Sequence, residues 1–386
     1  MDFSLRPEDV RWRDVAREFA QNEVAPIARE MDEKGEMPMA LIAHMAKLGL
    51  LGSTLTKEYG GSGMSHLAQA LVYEELGRAC SSVRGFVTVH SSLVIQCINA
   101  WGSDAQKKKY LDKLATGKEI GCYCLTEPEA GSDAAGIQTM ATHAKGGYLI
   151  NGEKIWITNA NIANIALVFA RTADLEDAKP HERISAFIMR TDSKGFDRER
   201  MPGKELGHRA SDHAHIHFHD CFVPEDQMLG AAGQGFKVAM SALDHGRLGV
   251  AAGALGVHQA CMDASLDFTR KRRQFGKRIA DFEMIQSALA EMKMTLEASR
   301  HLVYHAAWKK DQGLDSTLET SMAKLHATEA ALKAASDAVL LHGGRGYSNE
   351  YPVERYYRDI KGLQIYEGTS HIQRIVIARQ IVGKEK

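Results

Sequence analysis

The sequence lacks the features that mark several large classes of protein. Its formal net charge is only −1, so its balance of charge gives no general reason to expect nucleic acid or anionic lipid as a partner. No run of about 18 apolar residues offers a membrane span. The N-terminal stretch "MDFSLRPEDVRWRDVAREFA" mixes acidic and basic residues in a helical pattern, unlike a signal or transit peptide. We therefore expect a cytoplasmic protein that binds neither nucleic acid nor a membrane.

Cysteine is also scarce, with 6 residues in 386. No two cysteines have the paired C-x-x-C spacing of a zinc or redox site, and the set does not resemble a secreted disulfide scaffold. Reduced thiols in a cytosol-like compartment are the consistent interpretation. The chain also has no internal repeat and no low-complexity segment.

Hydrophobic periodicity divides the chain into three parts. Apolar residues recur at three- and four-residue spacing up to about Lys118. Short β-rich runs follow until about Pro224, and helical periodicity then continues to the C-terminus. The predicted α+β fold has an N-terminal all-α domain (1–118), a central β-barrel or sandwich domain (119–228) and a C-terminal helical domain (229–386).

This order of helices and strands argues against one common nucleotide-binding architecture. A doubly wound fold would alternate strands and helices along its whole length. No G-x-G-x-x-G fingerprint follows a predicted strand, and the glycine-rich "HGGRGYS" follows a helical pattern and is typical of a helix end. A flavin or nicotinamide would therefore bind outside a Rossmann crevice.

Two stretches of the predicted β domain combine small, hydroxyl and aromatic residues. "CYCLTEPEAGSDAAGIQT" supplies Thr126, Gly131 and Ser132, which let backbone amides approach a ligand closely. In "GEKIWITNA", Trp156 and Thr158 share one face of a strand. An indole beside a hydroxyl suits a flat ring edged with heteroatoms, although a tryptophan taken alone is more often a core residue.

The stretch "YEGTSHIQR" places a single carboxylate, Glu367, on the loop that enters the last helix. Ser370 followed by Gln373 predicts a capping box at the start of that helix. Gly368 gives the chain freedom to turn. An isolated glutamate at such a position is more often a solvated loop residue.

Four motifs, taken in order, resemble the acyl-CoA dehydrogenase family of flavoproteins: "YCLTEPEAGSD", "GEKIWITNA", "RRQFGKRIADFEMIQSALAEM" and "GGRGYSNEYPVERYYRDIKGLQIYEGTSHIQR". The resemblance runs from the first helices to the last residues. It implies an N-terminal helical domain, a central β domain and a C-terminal four-helix bundle. It also implies a noncovalently bound FAD, an acyl-CoA substrate, electron-transferring flavoprotein as the electron acceptor, and usually a homotetramer.

The resemblance also implies a cofactor site. Trp156 and Thr158 would flank the isoalloxazine ring, with Thr158 facing N5. The stretch "RRQFG" would reach the pyrophosphate and adenosine of a neighbouring subunit, since a guanidinium matches phosphate oxygens; by spacing alone it could equally be a solvated basic run. Several relatives have a glutamine where this chain has Leu340. The predicted FAD contacts are Tyr123, Leu125, Thr126, Ser132, Trp156, Thr158, Arg272, Gln274, Phe275, Gly343, Gly344 and Thr369.

Glu367 matches the catalytic base of the family. The resemblance implies that its carboxylate removes the α-proton while the β-hydride passes to flavin N5, which gives a trans-2-enoyl-CoA. Its backbone N–H and a flavin ribityl hydroxyl would stabilise the enolate oxygen. Desolvation would make the carboxylate a stronger base. The predicted substrate contacts are Arg84, Ser132, Asp244, Arg247, Tyr366 and Gly368, although Asp244 and Arg247 could equally cap a helix or pair on the surface.

Arg84, in "ACSSVRGFVTVHSSLV", gives a sharper expectation about the acyl group. The glutaryl-CoA dehydrogenase branch has an arginine here that faces the distal carboxylate of the substrate, and a cation in an apolar pocket needs a partner. We therefore expect glutaryl-CoA or a substituted succinyl-CoA. The alternative is a plain short- or medium-chain substrate, with Arg84 pointing outward or paired with Glu74 or Glu75. Gly77 replaces the acidic residue of that branch, so the sequence does not support decarboxylation.

The run "HAHIHFHD" places four histidines, His213, His215, His217 and His219, on one strand face, at a spacing that can chelate a divalent metal. No cysteine or carboxylate cluster accompanies them in a recognisable zinc pattern. We interpret them as a polar strand face and predict no metal in the site.

Two other functions known for this fold fit the sequence less well. A binding protein, including a nucleic-acid binder, would need a basic groove or a lost base, whereas this chain has a near-neutral charge and keeps its glutamate. A flavin oxidase of this kind usually has a longer chain.

Overall fold

The computed structural model describes residues 4–175 and 177–383, so the first three and last three residues of the predicted terminal domains lie outside the described residues. The N-terminal part is helical, as predicted. Short polar caps start two of its helices: Ser65 accepts a hydrogen bond from the Ala68 N–H, and Ser103 forms a capping box with Gln106. The helices are α1 (Pro7–Phe19), α2 (Ala28–Lys34), α3 (Met39–Lys47), α4 (His66–Ala79), α5 (Ser81–Val87), α6 (Gln96–Trp101) and α7 (Asp104–Ala115).

The central part forms one eight-stranded sheet in the described chain. Its strands are β1 (Gly121–Cys124), β2 (Met140–Ala144), β3 (Gly147–Thr158), β4 (Ile165–Thr172), β5 (Ile184–Arg190), β6 (Phe196–Arg200), β7 (His213–Pro224) and β8 (Met228–Leu229). The order is β6-β7-β3-β2-β4-β5-β8, and β1 pairs in parallel with β4.

The sheet is covered on both faces along β4, which is why that strand reads as a continuous apolar run. Leu167 and Phe169 pack with residues of α7 and the start of the next long helix, whereas Ala166 and Val168 pack with β3 and β7 on the opposite face. The buried sheet is therefore a rigid support for the residues at the ends of β1 and β3.

Helices return after β8, in agreement with the prediction. The elements are α8 (Gly235–Lys271), β9 (Arg273–Gln274), β10 (Lys277–Arg278), α9 (Glu283–Asp311), α10 (Thr317–His342), α11 (Val353–Leu363) and α12 (Ser370–Val382). Helix α8 packs against α9 and α10 and also against α4, so one apolar core joins the N-terminal and C-terminal helices.

Glycine allows α4 and α8 to approach closely. A Cβ added to Gly77 would lie 2.7 Å from the carbonyl oxygen of Gly253. The position where the glutaryl-CoA dehydrogenase branch has an acidic residue is therefore a backbone contact in this chain, with no room for a side chain.

No helix among the described residues is both long and apolar enough to cross a membrane. The six cysteines are all buried and free.

Candidate active site

The predicted capping box at the start of α12 is wrong. Thr369 is the N-cap, and its hydroxyl accepts a hydrogen bond from the Ile372 N–H at 3.2 Å. The side chain of Gln373 instead donates to the carbonyl oxygens of Gly368 (2.9 Å) and Glu367 (3.3 Å). The helix therefore holds the loop in front of it through a side chain of its own first turn.

The loop has an unusual backbone. Glu367 has φ 54° and Gly368 has φ 91°, so the freedom expected of Gly368 is used, and Glu367 adopts a conformation that side chains other than glycine rarely take. Besides Gln373, two cationic side chains hold the loop. Lys324 Nζ lies 2.8 Å from the Gly368 oxygen, and Arg247 Nε lies 3.4 Å from the Glu367 oxygen. The sequence identified Gln373 only as a capping-box residue, and Lys324 was not identified because it reaches the loop from α10 through tertiary packing.

The carboxylate of Glu367 is not a solvated loop group. Its Oε2 is inaccessible to solvent and has no hydrogen-bond partner among the described residues. Burial raises the pKa of Glu367 to about 7, and the charges of Arg84, Lys324 and Arg247 oppose that rise. The site therefore holds a carboxyl group that exchanges a proton near neutral pH.

Glycines recur on the face of α8 that meets Glu367, Thr88 and Arg84, and they leave room for these side chains. A Cβ on Gly246 would overlap Glu367 Oε2, a Cβ on Gly249 would lie 2.9 Å from Cγ2 of Thr88, and a Cβ on Gly253 would lie 2.5 Å from Nε of Arg84. The spacing of three and four residues puts these glycines on the same side of the helix. Glycine is costly inside a helix, and its recurrence in "HGRLGVAAGALG" is a sequence signal that we missed.

Arg84 points into this site. It is fully buried, its Nη2 donates to the Tyr366 hydroxyl at 2.5 Å, and its Nη1 donates to Thr88 Oγ1 at 3.5 Å. Its Nε has no hydrogen-bond partner among the described residues. A buried guanidinium with one neutral hydroxyl at short range is only partly compensated.

The alternative placement of Arg84, outward or paired with Glu74 or Glu75, is wrong. Glu74 instead accepts hydrogen bonds from Arg300 at 3.0 Å and from the Tyr304 hydroxyl at 2.9 Å. Glu75 pairs with Arg17 of α1 at 2.6 Å.

Asp244 and Arg247 form an ion pair at 3.0 Å along α8. Arg247 is buried and extends to the Glu367 loop, whereas the Asp244 side chain is partly exposed and also accepts from Thr317 Oγ1 at 3.3 Å. The pair therefore connects the loop to the protein surface.

Tyr123, the predicted flavin residue on β1, lies near the Glu367 loop. Tyr123 is buried and its hydroxyl lies 3.3 Å from the Ala239 oxygen. Burial raises the pKa of Tyr123, and the nearby charge of Glu367 contributes to the rise.

A buried ion pair supports the loop that follows β1. Lys154 Nζ lies 2.6 Å from Glu127 Oε1 and donates to the Leu125 oxygen at 3.0 Å. Glu127 also accepts from the backbone N–H groups of Gln138 and Thr139. These contacts fix the path of the chain around Thr126, whose carbonyl accepts from the Ile155 N–H at 3.0 Å.

Trp156 is not a core residue. It has φ 60° and is 52% exposed, next to a register shift between β3 and β7. Thr158 follows on the same strand, opposite His213. An indole held out of the core on a rigid strand is the kind of surface that a flat ring can cover, so the residues fit a flavin.

Ser132, Gln274, Phe275, Gly343 and Gly344 are exposed and Arg272 is partly exposed, and none of these predicted FAD contacts makes a hydrogen bond to the Glu367 loop in the described chain. Phe275 is 93% exposed with φ 51°, in the turn between β9 and β10 that follows Gln274, the last residue of β9. Gly343 and Gly344 begin a 3₁₀ turn after α10 with open space around them. Ser132 and Arg272 also lie outside the core.

Comparison with known proteins matches almost the whole chain to three domains of one family. Residues 6–118 match the acyl-CoA dehydrogenase N-terminal domain, residues 122–221 the middle domain and residues 233–382 the C-terminal domain.

Individual relatives cover the chain from end to end. A short-chain-specific acyl-CoA dehydrogenase of Clostridium acetobutylicum is 42% identical over 381 residues, which are 99% of this chain and 100% of the relative. A chain from a structure of the electron transferring flavoprotein of Acidaminococcus fermentans has a TM-score of 0.96 and 38% identity, with 100% of both chains covered. A glutaryl-coenzyme A dehydrogenase in complex with glutaryl-CoA also has a TM-score of 0.96, with 35% identity and coverage of 100% of this chain and 98% of that one.

Proposed function

The chain belongs to the acyl-CoA dehydrogenase family, and we propose that it dehydrogenates a short-chain acyl-CoA thioester with Glu367 as the base. It is an FAD-dependent oxidoreductase, as the members of this family are. The likeness to the short-chain-specific enzyme of Clostridium acetobutylicum supports a short acyl group. The observation that carries the proposal is the unpartnered, solvent-inaccessible Oε2 of Glu367, with its pKa raised by burial to about 7.

Removal of the α-proton needs a base whose proton affinity is raised and whose position is fixed. Desolvation supplies the first requirement. Lys324, Arg247 and Gln373 supply the second, because they hold the two carbonyl groups of the loop. The Cα–H bond breaks, its electron pair stays on the substrate as an enolate, and the proton moves to the Glu367 carboxylate.

The enolate oxygen needs hydrogen-bond donors. The backbone N–H of Glu367 donates to no backbone carbonyl in the described chain, and we assign it to the thioester oxygen. The chemistry that bound FAD would supply is acceptance of a hydride, so that loss of the β-hydrogen with its pair of electrons would complete the carbon–carbon double bond. Tyr123, Leu125, Thr126, Trp156, Thr158 and Thr369 are the residues that we propose to hold the flavin.

A second candidate substrate class rests on Arg84. Its guanidinium is buried beside Tyr366, its Nε is unpartnered, and its charge acts on Glu367. A short acyl group that ends in a carboxylate would compensate this cation. The likeness to the glutaryl-CoA dehydrogenase complex supports the idea, and such a substrate would be glutaryl-CoA or a substituted succinyl-CoA.

The experiment is an anaerobic absorbance titration of the FAD-loaded protein with butyryl-CoA, octanoyl-CoA, glutaryl-CoA and 2-methylsuccinyl-CoA. Bleaching of the flavin by butyryl-CoA supports the plain short-chain enzyme. Bleaching by the two dicarboxylic thioesters alone, lost in Arg84→Met and partly kept in Arg84→Lys, supports the second candidate.

Glu367→Gln tests the base itself. The variant is expected to bind FAD and acyl-CoA but to bleach at least a thousandfold more slowly, because its amide cannot accept the α-proton. Glu30→Gln, at an exposed residue of α2 that pairs with Lys34, is the matched control. Equal bleaching rates in Glu367→Gln and in the control would remove Glu367 from the mechanism.

Three further proposals concern partners and assembly. Electron-transferring flavoprotein is the acceptor that reoxidises the flavin, which the likeness to the Acidaminococcus fermentans structure supports. We further propose a homotetramer in which Arg272, Gln274 and the exposed Phe275 contact the FAD of a neighbouring subunit. Gly343 and Gly344 would contact the ADP portion of FAD.

We also propose that the chain divides into domains at residues 1–118, 119–228 and 229–386.

A further inference from the structure

The outer face of the sheet carries a group of imidazoles and carboxylates away from the Glu367 loop. His215 and His217 lie on β7, which runs between β3 and β6. In the strand registers Glu153 of β3 is opposite His217, and Glu199 of β6 is opposite His215. Residues two apart on a strand face the same side, so three strands bring these four side chains together.

The distances show how closely they meet. Glu153 Oε2 lies 2.7 Å from His215 Nε2 and 4.0 Å from His217 Nδ1. One ligand atom from each of the three residues can be chosen so that all lie within 4.8 Å of one another. The side chains of His215 and His217 are only partly exposed, at 18% and 34%.

We propose that Glu153, His215 and His217 form a binding site for a divalent transition-metal ion such as Zn²⁺. Atoms bound about 2.0–2.1 Å from a tetrahedral Zn²⁺ lie about 3.3 Å from each other. That separation falls between the two distances measured from Glu153 Oε2. Two imidazole nitrogens and one carboxylate oxygen leave a fourth position for water.

An ion pair alone does not account for His217. Its Nδ1 faces Glu153 at 4.0 Å and its Nε2 faces Glu199 Oε1 at 3.8 Å, so both nitrogens point to carboxylates beyond hydrogen-bond distance. A metal-bound imidazole characteristically directs its other N–H to a carboxylate, which fixes the ring. Glu199 is placed for that task, as a positioning residue.

The site lies beside the β3 segment that carries Trp156. The register between β3 and β7 shifts between Lys154 and Ile157, and Lys154 is the residue after Glu153. A metal ion that joins Glu153 to His215 and His217 would link the two strands at the edge of this irregularity. The bound ion is therefore expected to raise the melting temperature of the FAD-loaded protein without taking part in proton transfer.

The sequence alone does not show that Glu153 and Glu199 lie beside the histidines of β7. Both glutamates precede β7 in the sequence, on β3 and β6, and only the registers of these strands bring their side chains next to the histidines.

The test is calorimetric titration of metal-free, FAD-loaded protein with ZnCl₂. We expect one ion per chain, at least tenfold weaker binding in His217→Ala and Glu153→Gln, and about tenfold weaker binding in Glu199→Gln. His181→Ala is the matched control. His181 lies at the surface 3.7 Å from Glu182 and is not one of the proposed zinc ligands. Its affinity for Zn²⁺ should equal that of the unmodified protein.

A second measurement does not depend on variants. Zinc K-edge X-ray absorption of the one-to-one complex should show two imidazoles and no sulfur, because the six cysteines lie elsewhere in buried positions. Sulfur scattering, or equal affinity in His217→Ala and the unmodified protein, would overturn the proposal and leave only adventitious zinc. Neither experiment measures dehydrogenation, so the result is independent of the proposed function.

Discussion

The carboxylate of Glu367 occupies the space that a side chain at Gly246 would fill. A Cβ at position 246 of α8 would overlap Oε2 of Glu367, although the two residues are far apart in the sequence. The position of the carboxylate thus depends on a missing side chain in a helix as much as on its own loop. The charges of Arg84, Lys324 and Arg247 then act on a carboxylate for which α8 has left room.

Gly246→Ala should therefore abolish most of the activity without unfolding the protein. An added methyl group forces the Glu367 carboxylate to move, and we expect the rate of flavin bleaching to fall at least a hundredfold, since a displacement of about 1 Å can have that effect. Alanine also favours a helix interior by about 1 kcal/mol over glycine, so the melting temperature should not drop steeply.

The control for that variant is Gly85→Ala on α5, where the nearest atom to an added Cβ is Ser211 Oγ at 3.8 Å. It should keep its activity. Full activity in Gly246→Ala would show that the carboxylate works from another position.

The pH dependence of flavin reduction should report Glu367. Burial raises its pKa to about 7, and only the ionised form accepts the α-proton. The bleaching rate under single-turnover conditions should therefore rise with pH and level off above about pH 8. Stopped-flow absorbance at several pH values measures this; a rate that is flat between pH 5 and 9 would contradict it.

The same shift has a consequence for stability with a definite sign. A carboxyl group whose pKa is raised on folding binds its proton more tightly in the native state, so its contribution to stability is present at low pH. That contribution is lost as the pH rises from about 4.5, the ordinary value, to about 7. Glu367→Gln lacks the loss, and its advantage in urea unfolding over the unmodified protein should grow across this window.

Much of this organisation could be predicted from the sequence, and the rest depended on packing. Periodicity gave the α–β–α order, and motifs placed Glu367 on the loop before α12. The direction of Arg84 could not be predicted, because Glu74 and Glu75 were equally plausible partners until the structure paired them with Arg300 and Arg17. The start of α12 was misplaced because Ser370 and Thr369 are both good capping residues.

Lys324 should tune the base as well as hold the loop. Its ammonium is buried, its pKa is lowered by burial to about 8, and it donates to the Gly368 oxygen at 2.8 Å. Lys324→Met removes a positive charge that lowers the pKa of Glu367, so the midpoint of the pH profile should move upward and the rate at pH 7 should fall roughly tenfold.

Lys333→Met on the same helix is the matched control, since Lys333 is exposed and pairs with Asp337 at the surface. It should leave the midpoint unchanged. A purely structural role for Lys324 would lower the rate at every pH without moving the midpoint.

The buried ion pair of Lys154 and Glu127 supports the loop after β1 and takes no part in the chemistry of Glu367. Lys154→Met leaves the Glu127 carboxylate without its cation, and loss of one partner of a buried pair costs about 3–5 kcal/mol. The Glu127 carboxylate still accepts from two backbone N–H groups, so the lower end of that range is expected in urea unfolding. The double variant Lys154→Met with Glu127→Gln should recover part of the loss, because no unpaired charge remains buried.

The FAD content should fall in Lys154→Met, since Lys154 also holds the Leu125 carbonyl beside Thr126. Unchanged stability and FAD content in the single variant would mean that the loop after β1 needs no ionic support, and its conformation would then rest on the sheet alone.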